Sequence, residues 1–595
     1  MHCPLRALSV CLFLALQMLV PPLFGSDKIG PRLRDYIERD STDRLFAWIH
    51  FTDKDPNDLQ KLSSPRTLIS DRAIRRRLKV RTPESVVDYS DLPAHPQYVR
   101  QVETAVTTIR HRSRWFNAVS VEMTRTQLEQ VVKFPFVRAV DLLARFPRHD
   151  LEDSLFAERT AAQLSSIGSP SSALLDYGPS FDQVQQINVP ALHDSGNFGQ
   201  GVLVGVFDNG FRLLNHEVFD SLEIIATYDF VDHKVSVVPN NPATSFGAHG
   251  VNTLSVIGGY KPGQLIGPAF GAEYLLARTE NDSSETPLEE DNWIAAIEWA
   301  DSIGVDVTST SLIYREFDTP FPSWSWEDMD GNTTMITRAA DLAVSKGIVV
   351  LNAAGNFGGS PAAGQNTLGA PADGDSVIAV GAVDALGNRA AFSSVGPTAG
   401  PFPRIKPDVM ARGVSVTVAS ATNLAGYSSA GSGTSFACPL AAGVAALLLA
   451  SHPTATPLQI ATAMRATSNN ATSPTNELGW GILDAVAAVD YLQAVTNPPS
   501  EFVLSQNYPN PFNSSTTIQF SLSEPASVRV EIFDLLGRKV RDLPVDQFPQ
   551  GIHPVVWNGQ DDRGIPAASG LYIYRVWVSY ASGSQTDSHK AMLLR

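Results

Sequence analysis

Gly431-Ser432-Gly433-Thr434-Ser435-Phe436-Ala437-Cys438-Pro439 sets one serine between a glycine-rich turn and the Ala/Leu/Val run from Leu440 to about Ser451. The run reads as a buried helix, which puts the Ser435 hydroxyl at a helix N-terminus. Unpaired backbone N–H groups point outward there, and the helix dipole favours negative charge. An acyl-transfer enzyme needs a nucleophile beside donors for a developing oxyanion. A glycine-rich loop merely capped by Ser435 fits the same pattern, and two other stretches separate the readings. Val202-Leu203-Val204-Gly205-Val206-Phe207-Asp208-Asn209-Gly210 reads as a buried parallel strand with an acid at its carboxyl end. Ligands of open α/β sheets bind beyond such ends. Gly247-Ala248-His249-Gly250 opens an apolar helix running to about Ile257. A lone histidine is usually structural, and Asp208 or Asn356 taken singly reads as a cap or a turn. An Asp at a strand tip, then a His and a Ser each at a helix start, is a combination that isolated structural roles do not produce.

These stretches resemble the subtilisin-like serine proteases, in which the triad runs Asp…His…Ser along the chain. Asp208-Asn209-Gly210, His249-Gly250 and Gly433-Thr434-Ser435 match the three triad motifs, and Ala354-Gly355-Asn356 matches the oxyanion-hole motif. Lys406-Pro407-Asp408-Val409 and Gly479-Trp480-Gly481-Ile482-Leu483-Asp484-Ala485 are further landmarks, so the resemblance covers about 180 to 492. It implies Ser435 as nucleophile, His249 as base and Asp208 as its orienting partner, with the Asn356 amide and the Ser435 N–H holding the oxyanion. It also implies that Ser311, Leu312 and Ile313, with Ala354 and Gly355, line the substrate. Ile313 and Tyr314 stand where the family usually has glycines, so a narrowed or reshaped primary pocket and a preference for modest apolar side chains are expected. His216 is a rival base, but it falls in the loop after the Asp motif, where the family carries a non-catalytic histidine. The chemistry requires no cofactor. Structural calcium, bound by many relatives, is left unassigned: their ligand loops do not match here, and Asp328-Met329-Asp330-Gly331-Asn332 reads better as a turn before a helix.

A chain of 595 residues is too long for one core. Its net charge of −16 argues against nucleic acid as a partner. Of the three cysteines, Cys3 and Cys11 fall in a segment expected to be removed, leaving Cys438 as a small buried residue with no disulfide and no thiol zinc site.

Arg6 followed by the apolar run Ala7 to Val20 reads as a signal peptide, 1–25, rather than a membrane anchor, because the run is short and broken by Gln17 and prolines. Residues 26–146 form a small mixed domain. Strands are expected at 45–51, 115–121 and 136–140, and a capping box at Thr126-x-x-Glu129. Ahead of a protease this looks like a propeptide, an intramolecular chaperone and inhibitor. Its basic run from Arg72 to Arg81 reads as a solvated helix face rather than a polyanion site. Residues 147–176 are a polar linker suited to processing, and 177–496 form the peptidase domain. There, strands expected at 202–207, 273–278, 304–309, 347–353, 376–383 and 413–420 alternate with helices at 249–258, 287–302, 333–346 and 435–450. That alternation specifies an α/β fold, a mostly parallel sheet with helices on both faces.

After the Pro498-Pro499-Ser500 linker, short alternating strands at 516–522, 528–533 and 571–578 specify a small all-β sandwich over 500–595. Four of its stretches are similar to the C-terminal sorting domain of type IX secretion cargo: Asn507-Tyr508-Pro509-Asn510-Pro511-Phe512-Asn513, Asp534-Leu535-Leu536-Gly537-Arg538, Ala568-Ser569-Gly570-Leu571-Tyr572 and Met592-Leu593-Leu594-Arg595. This implies export through the periplasm and across the outer membrane, with the type IX machinery as a partner beside protein or peptide substrates. Three functions compete. A secreted serine endopeptidase uses every motif. An inactive protease fold serving as a binding module needs a hidden blockage. An esterase usually places its serine in Gly-x-Ser-x-Gly after a strand, which Gly433-Thr434-Ser435-Phe436-Ala437 does not match.

Overall fold

The computed structural model describes residues 27–39, 44–144, 174–239, 247–281, 285–318, 321–359, 361–362, 364–496, 501–507, 510–512 and 515–594. The expected signal peptide, with Cys3 and Cys11, lies outside the described residues. So does the expected linker except 174–176, and so do Tyr508, Pro509, Asn513 and Arg595 of the C-terminal resemblance. The chain divides into two units, Met1–Leu59 with Ser90–Arg145, and Gln60–Tyr89 with Phe146–Arg595.

Numbered along the whole chain, the first unit holds α1 (Pro31–Arg39), β1 (Arg44–Phe51), α3 (Pro96–Ala105), β2 (Thr108–Ser113), β3 (Ala118–Thr124), α4 (Arg125–Val131) and β4 (Val137–Ala144); α2 (Asp71–Arg77) belongs to the second unit. The sheet order is β2-β3-β1-β4, with β1 antiparallel to both β3 and β4. The strand expected from Trp115 begins only at Ala118, since 114–117 form the preceding turn, with Asn117 at φ 50°. Strand β2, carrying Arg110, His111 and Arg112, has no apolar alternation to read. The capping box starts two residues earlier than expected. The Gln127 N–H donates to Thr124 Oγ1 at 3.1 Å and the Thr124 N–H to Gln127 Oε1 at 2.8 Å, because β3 ends at Thr124 and the helix turns directly out of it.

In the second unit α5 (Phe181–Gln185) and α6 (Val189–Asp194) lead into β5 (Leu203–Asp208), β6 (Glu223–Asp229), α7 (Ala248–Gly258), the hairpin β7 (Tyr260–Lys261) and β8 (Leu265–Ile266), and β9 (Glu273–Arg278). Then come α8 (Leu288–Ile303), β10 (Val307–Thr310), α9 (Met335–Ser345), β11 (Val349–Ala353), β12 (Ile378–Val383), β13 (Val409–Arg412), β14 (Val416–Ala419), β15 (Tyr427–Gly431), α10 (Thr434–Ser451), α11 (Pro457–Ala466) and α12 (Ala485–Thr496). Seven strands form one sheet in the order β13-β12-β11-β10-β5-β9-β6, every neighbouring pair parallel. Alternation along β5 sends Val204 and Val206 into the core shared with α7 and α10, and Phe207 against Trp293 of α8, ring centroids 5.9 Å apart. Helices α8 and α9 pack on each other, as do α7 and α10. Helix α10 is buried at every residue from Thr434 to Leu449, so its all-round apolarity marks a core helix rather than a membrane span.

Two sheet strands were not expected. Strand β6 is the half-exposed edge, and β13 is short and follows Pro407. The stretch expected as a strand at 413–420 contributes β14, which pairs antiparallel with β15 outside the main sheet. In the C-terminal part, β16 (Val503–Leu504), β17 (Thr516–Leu522) and β20 (Gly551–Trp557) form one sheet. Strands β18 (Ala526–Asp534), β19 (Lys539–Phe548), β21 (Gly570–Tyr580) and β22 (Gly583–Leu593) form a second, in the order β19-β18-β21-β22. Both sheets feed one core that includes Phe520, Ile532, Trp557 and Tyr574.

The basic run around α2 does not form a solvated face. Arg76 and Arg77 are buried, and both donate to Asp301 of α8, at 2.5 Å and 2.6 Å. Arg76 also donates to the Val305 carbonyl at 2.8 Å and the Lys346 carbonyl at 3.2 Å. A guanidinium carries five donors in a rigid fork, so carbonyls left over near helix ends and one carboxylate can absorb it in the interior. Only Arg75 and residues flanking the pair face solvent.

A second buried charge cluster ties β12 to β13. Asp408 accepts from Lys406 Nζ at 2.8 Å, Arg465 Nη2 at 2.6 Å and the Ala379 N–H at 2.7 Å. Burial alone would raise the Asp408 carboxyl, but Lys406, Arg465 and these hydrogen bonds outweigh it and hold it below the ordinary carboxylate value. A carboxyl lowered on folding adds stability at neutral pH and loses it as pH falls below about 4. Asp408→Asn, which strands the buried Lys406 charge, is expected to lower unfolding free energy at pH 7 by about 3–5 kcal/mol in urea titration and to flatten the loss of stability below about pH 4. A change under about 1 kcal/mol would show that the cluster is not a brace.

Candidate active site

Asp208 ends β5, and Ser311 follows the last residue of β10. The register Phe207↔Thr310 sets the two side by side at the carboxyl edge of the sheet. The topology switches at this point: β9 and β6 lie on one side of β5, β10 to β13 on the other. Crevices of this kind hold the ligands of open α/β sheets.

Asp208 is fully buried, and both its oxygens are occupied. Oδ1 accepts the Asn209 N–H at 2.8 Å and lies 2.7 Å from His249 Nδ1; Oδ2 accepts the Thr253 hydroxyl at 2.8 Å. Against an ionised carboxylate His249 Nδ1 is the donor, which leaves Nε2 as the ring nitrogen carrying the lone pair. His249 lies in the first turn of α7 and Thr253 one turn later on the same face, so one helix addresses both oxygens. The start of α7 is held in place by the Gly250 N–H donating to Asn209 Oδ1 at 3.0 Å. A Cβ at Gly250 would collide with the Gly210 carbonyl oxygen, so the close approach of helix to strand tip requires glycine.

Ser435 is the second residue of α10, in the turn whose backbone amides have no intrahelical acceptor. Its hydroxyl donates to the Ser311 carbonyl at 3.1 Å, while the Ser311 hydroxyl donates to the Ser435 carbonyl at 2.7 Å. These reciprocal bonds lock the start of α10 to the end of β10. The ring of Phe436, next along the helix, lies 6.0 Å from the His249 ring. Exposed Asn356 is oriented through its oxygen: Oδ1 accepts the Thr434 N–H at 2.9 Å and the Thr434 hydroxyl at 3.0 Å, which presents Nδ2 as the outward donor. Gly433 adopts φ 149° between these elements, and a Cβ there would lie 3.4 Å from Asn356 Nδ2.

The residues expected to line the substrate are also at this edge. Asn352 Nδ2 donates to the Leu312 carbonyl at 3.0 Å, the Ala354 N–H to Val380 at 2.9 Å, and the Gly355 N–H to the Thr434 hydroxyl at 3.3 Å. The Ile313 side chain fills the space between two glycines. A Cβ on Gly355 would come within 3.0 Å of its Cδ1, and one on Gly369 within 2.9 Å of its Cβ. Tyr314 turns inward and donates to Glu280; burial first, then the Glu280 charge, pushes its phenol well above the ordinary value. Of the two replacements for family glycines, Ile313 packs against Gly355 and Gly369, whereas Tyr314 is buried against Glu280.

His216 is excluded as the base at this site: its Nδ1 accepts the Val218 N–H at 3.1 Å and its Nε2 donates to the Gly426 carbonyl at 3.0 Å. Cys438 is buried beside Thr310, and burial pushes its thiol up to about 12. The Asp328–Asn332 stretch is a turn before α9, with Asp330 Oδ1 accepting the Asn332 and Thr333 N–H groups. Among the described residues no group of three His, Cys, Asp or Glu side chains is arranged to hold a metal ion. Thr253 and Thr434 were not singled out from sequence. Thr253 was legible in principle, four residues after His249. The grip of Thr434 on Asn356 spans 78 residues and carried no local signal.

Residues 199–481 match the subtilase (peptidase S8) family, 46–154 the peptidase S8 propeptide domain of Bacteroidota, and 509–584 the FlgD Ig-like domain. Subtilisin DY of Bacillus licheniformis is 34% identical over 284 residues, covering 48% of this chain and 89% of its own. Subtilisin of Bacillus pumilus is 34% identical over 286 residues, covering 48% and 90%. Among solved structures, the MycP3 protease of the type VII (ESX-3) secretion system aligns at 21% identity over 53% of this chain and 91% of its own, with a TM-score of 0.42. The chain belongs to the subtilase family of serine endopeptidases, and carries an S8 propeptide domain before the peptidase and an Ig-like domain after it.

Proposed function

We propose that this protein is a secreted endopeptidase that cleaves peptide bonds through an acyl-enzyme at Ser435. The observation that carries the reading is the buried Asp208 carboxylate, which holds His249 through Nδ1 and is held in turn by Thr253, beside a serine locked between two elements. In the reacting complex the Ser435 hydroxyl gives up its hydrogen bond to the Ser311 carbonyl and donates to His249 Nε2 instead. His249 takes the proton as Ser435 attacks, then delivers it to the leaving amine, while Asp208 stabilises the imidazolium. The Asn356 amide and the Ser435 N–H receive the oxyanion. Substrate adds in extended form beside Ser311, Leu312 and Ile313, with Ala354 and Gly355 opposite.

The signal peptide, the propeptide and the 500–595 domain make the protein an exported zymogen. Residues 500–595 serve type IX export across the outer membrane, supported by the resemblance of its four stretches and by its two-sheet sandwich. The chemistry needs no cofactor, and structural calcium is unassigned.

Ser435→Ala is expected to abolish peptide hydrolysis and fluorophosphonate labelling; retained hydrolysis by purified variant refutes the assignment. Asn356→Ala should lower kcat by roughly 10²–10³, a range known from a subtilisin, with little change in KM. Ile313→Gly should open the pocket and raise kcat/KM for large apolar residues on the acyl side of the scissile bond, relative to alanine, by about tenfold or more. A wild-type cleavage profile dominated by Lys or Arg would overturn that specificity. Deleting 500–595 should leave hydrolysis intact and hold the protein in the periplasm, and secretion of the truncated chain would exclude the sorting role.

A further inference from the structure

Segment 60–89 lies within the sequence matched by the propeptide domain, yet it is part of the same unit as the peptidase. Arg72, Ser70, Arg76 and Arg77 anchor it at the amino edge of the sheet. Arg72 bonds Glu273, the first residue of β9, and donates to Gly201 just before β5 at 2.8 Å and to Asp306 just before β10 at 3.1 Å. Asp306 in turn accepts the Leu203 N–H at 3.0 Å. The Ser70 hydroxyl caps the end of α8 through the Ile303 carbonyl at 2.6 Å. Arg76 and Arg77 close on Asp301 with no solvent-accessible side-chain surface on any of the three. Gly304, at φ 110°, leaves the space that Arg72 and Ala73 occupy.

Asp208 and Ser311 lie at the other ends of these same strands. The six residues of β5 put roughly 20 Å between the two edges. A propeptide segment that inhibits must fill the cleft and leave it on activation. The contacts of this segment lie at the opposite edge of the sheet from Asp208 and Ser311, and its departure would strand Asp301 as a buried carboxylate without its two cations.

We propose that segment 60–89 is a permanent component of the mature peptidase, held at the amino edge of the sheet by Arg72, Arg76 and Arg77 after the chain has been cut and the rest of the propeptide released. The inference rests on reading 26–146 as a propeptide that is cut from the peptidase. The mature enzyme is then a two-chain assembly in which the retained strap braces β5, β9, β10 and α8 while the cleft is open.

The test uses the full chain with Ser435→Ala, so that no self-cleavage intervenes. Recognition sequences for one site-specific protease are inserted after Leu59, after Tyr89 and between 150 and 170. After digestion, gel filtration and native mass spectrometry should find the 60–89 fragment bound one-to-one to the peptidase fragment, including in 1 M salt. A peptidase fragment eluting without it overturns the proposal. Arg76→Met with Arg77→Met should weaken retention at least tenfold, whereas exposed Arg75→Met should leave it unchanged. Should the double variant fail to fold, Asp301→Leu is added to remove the stranded carboxylate, and the unsubstituted digest decides by itself. Because the serine is absent throughout, the outcome is independent of peptide hydrolysis, which is assayed on the wild-type chain.

Discussion

A carboxylate with no exposure to water sits at the tip of β5, and the site is built around satisfying it. Leaving such a charge unpartnered costs several kcal/mol, so Asp208 needs donors on both oxygens. Helix α7 supplies them from His249 and Thr253, one turn apart, and the strand's own continuation supplies the Asn209 amide. That demand fixes where α7 starts, why Gly250 must lie against Gly210, and which nitrogen of His249 is left without the Asp208 carboxylate. The position of Ser435 is a separate constraint, set by the reciprocal hydrogen bonds between Ser435 and Ser311. Both constraints meet because β5 and β10 are neighbours in register.

The seven-stranded sheet carries charge chemistry at both edges. At the carboxyl edge, a buried acid orients an imidazole. At the amino edge, buried and half-buried acids, Asp301, Asp306 and Glu273, receive arginines from a distant part of the chain. A parallel sheet makes this separation natural, since all strand starts lie on one side and all strand ends on the other. A segment bound at the starts can brace the fold without touching the chemistry.

Much of the site was legible along the chain because its parts are local. Asp208 ends an unbroken apolar run, and His249 and Ser435 each sit at a helix start flanked by glycine. The sheet's central strands read as continuous hydrophobic stretches, the pattern of strands buried on both faces. Edge elements were harder. Strand β6 is half exposed, β2 is mostly polar, and β13 is four residues long, so none has a periodicity strong enough to separate from noise. The 413–420 stretch had the right character for a strand, but nothing local says which sheet a strand joins.

By itself the sequence determined the α/β class, the order of the three motifs and the identity of the residues that carry them, because strand and helix periodicity and turn chemistry act over a few residues. Only the tertiary structure decided that Tyr314 is buried against Glu280 while Ile313 packs between Gly355 and Gly369, that Thr434 rather than a neighbour orients Asn356, and that Arg76 and Arg77 are interior rather than solvated. In each case the partner lies tens to hundreds of residues away, at Glu280, at Gly369, at Thr434 or at Asp301. A charge run is indistinguishable from a surface helix until the fold brings a carboxylate to meet it.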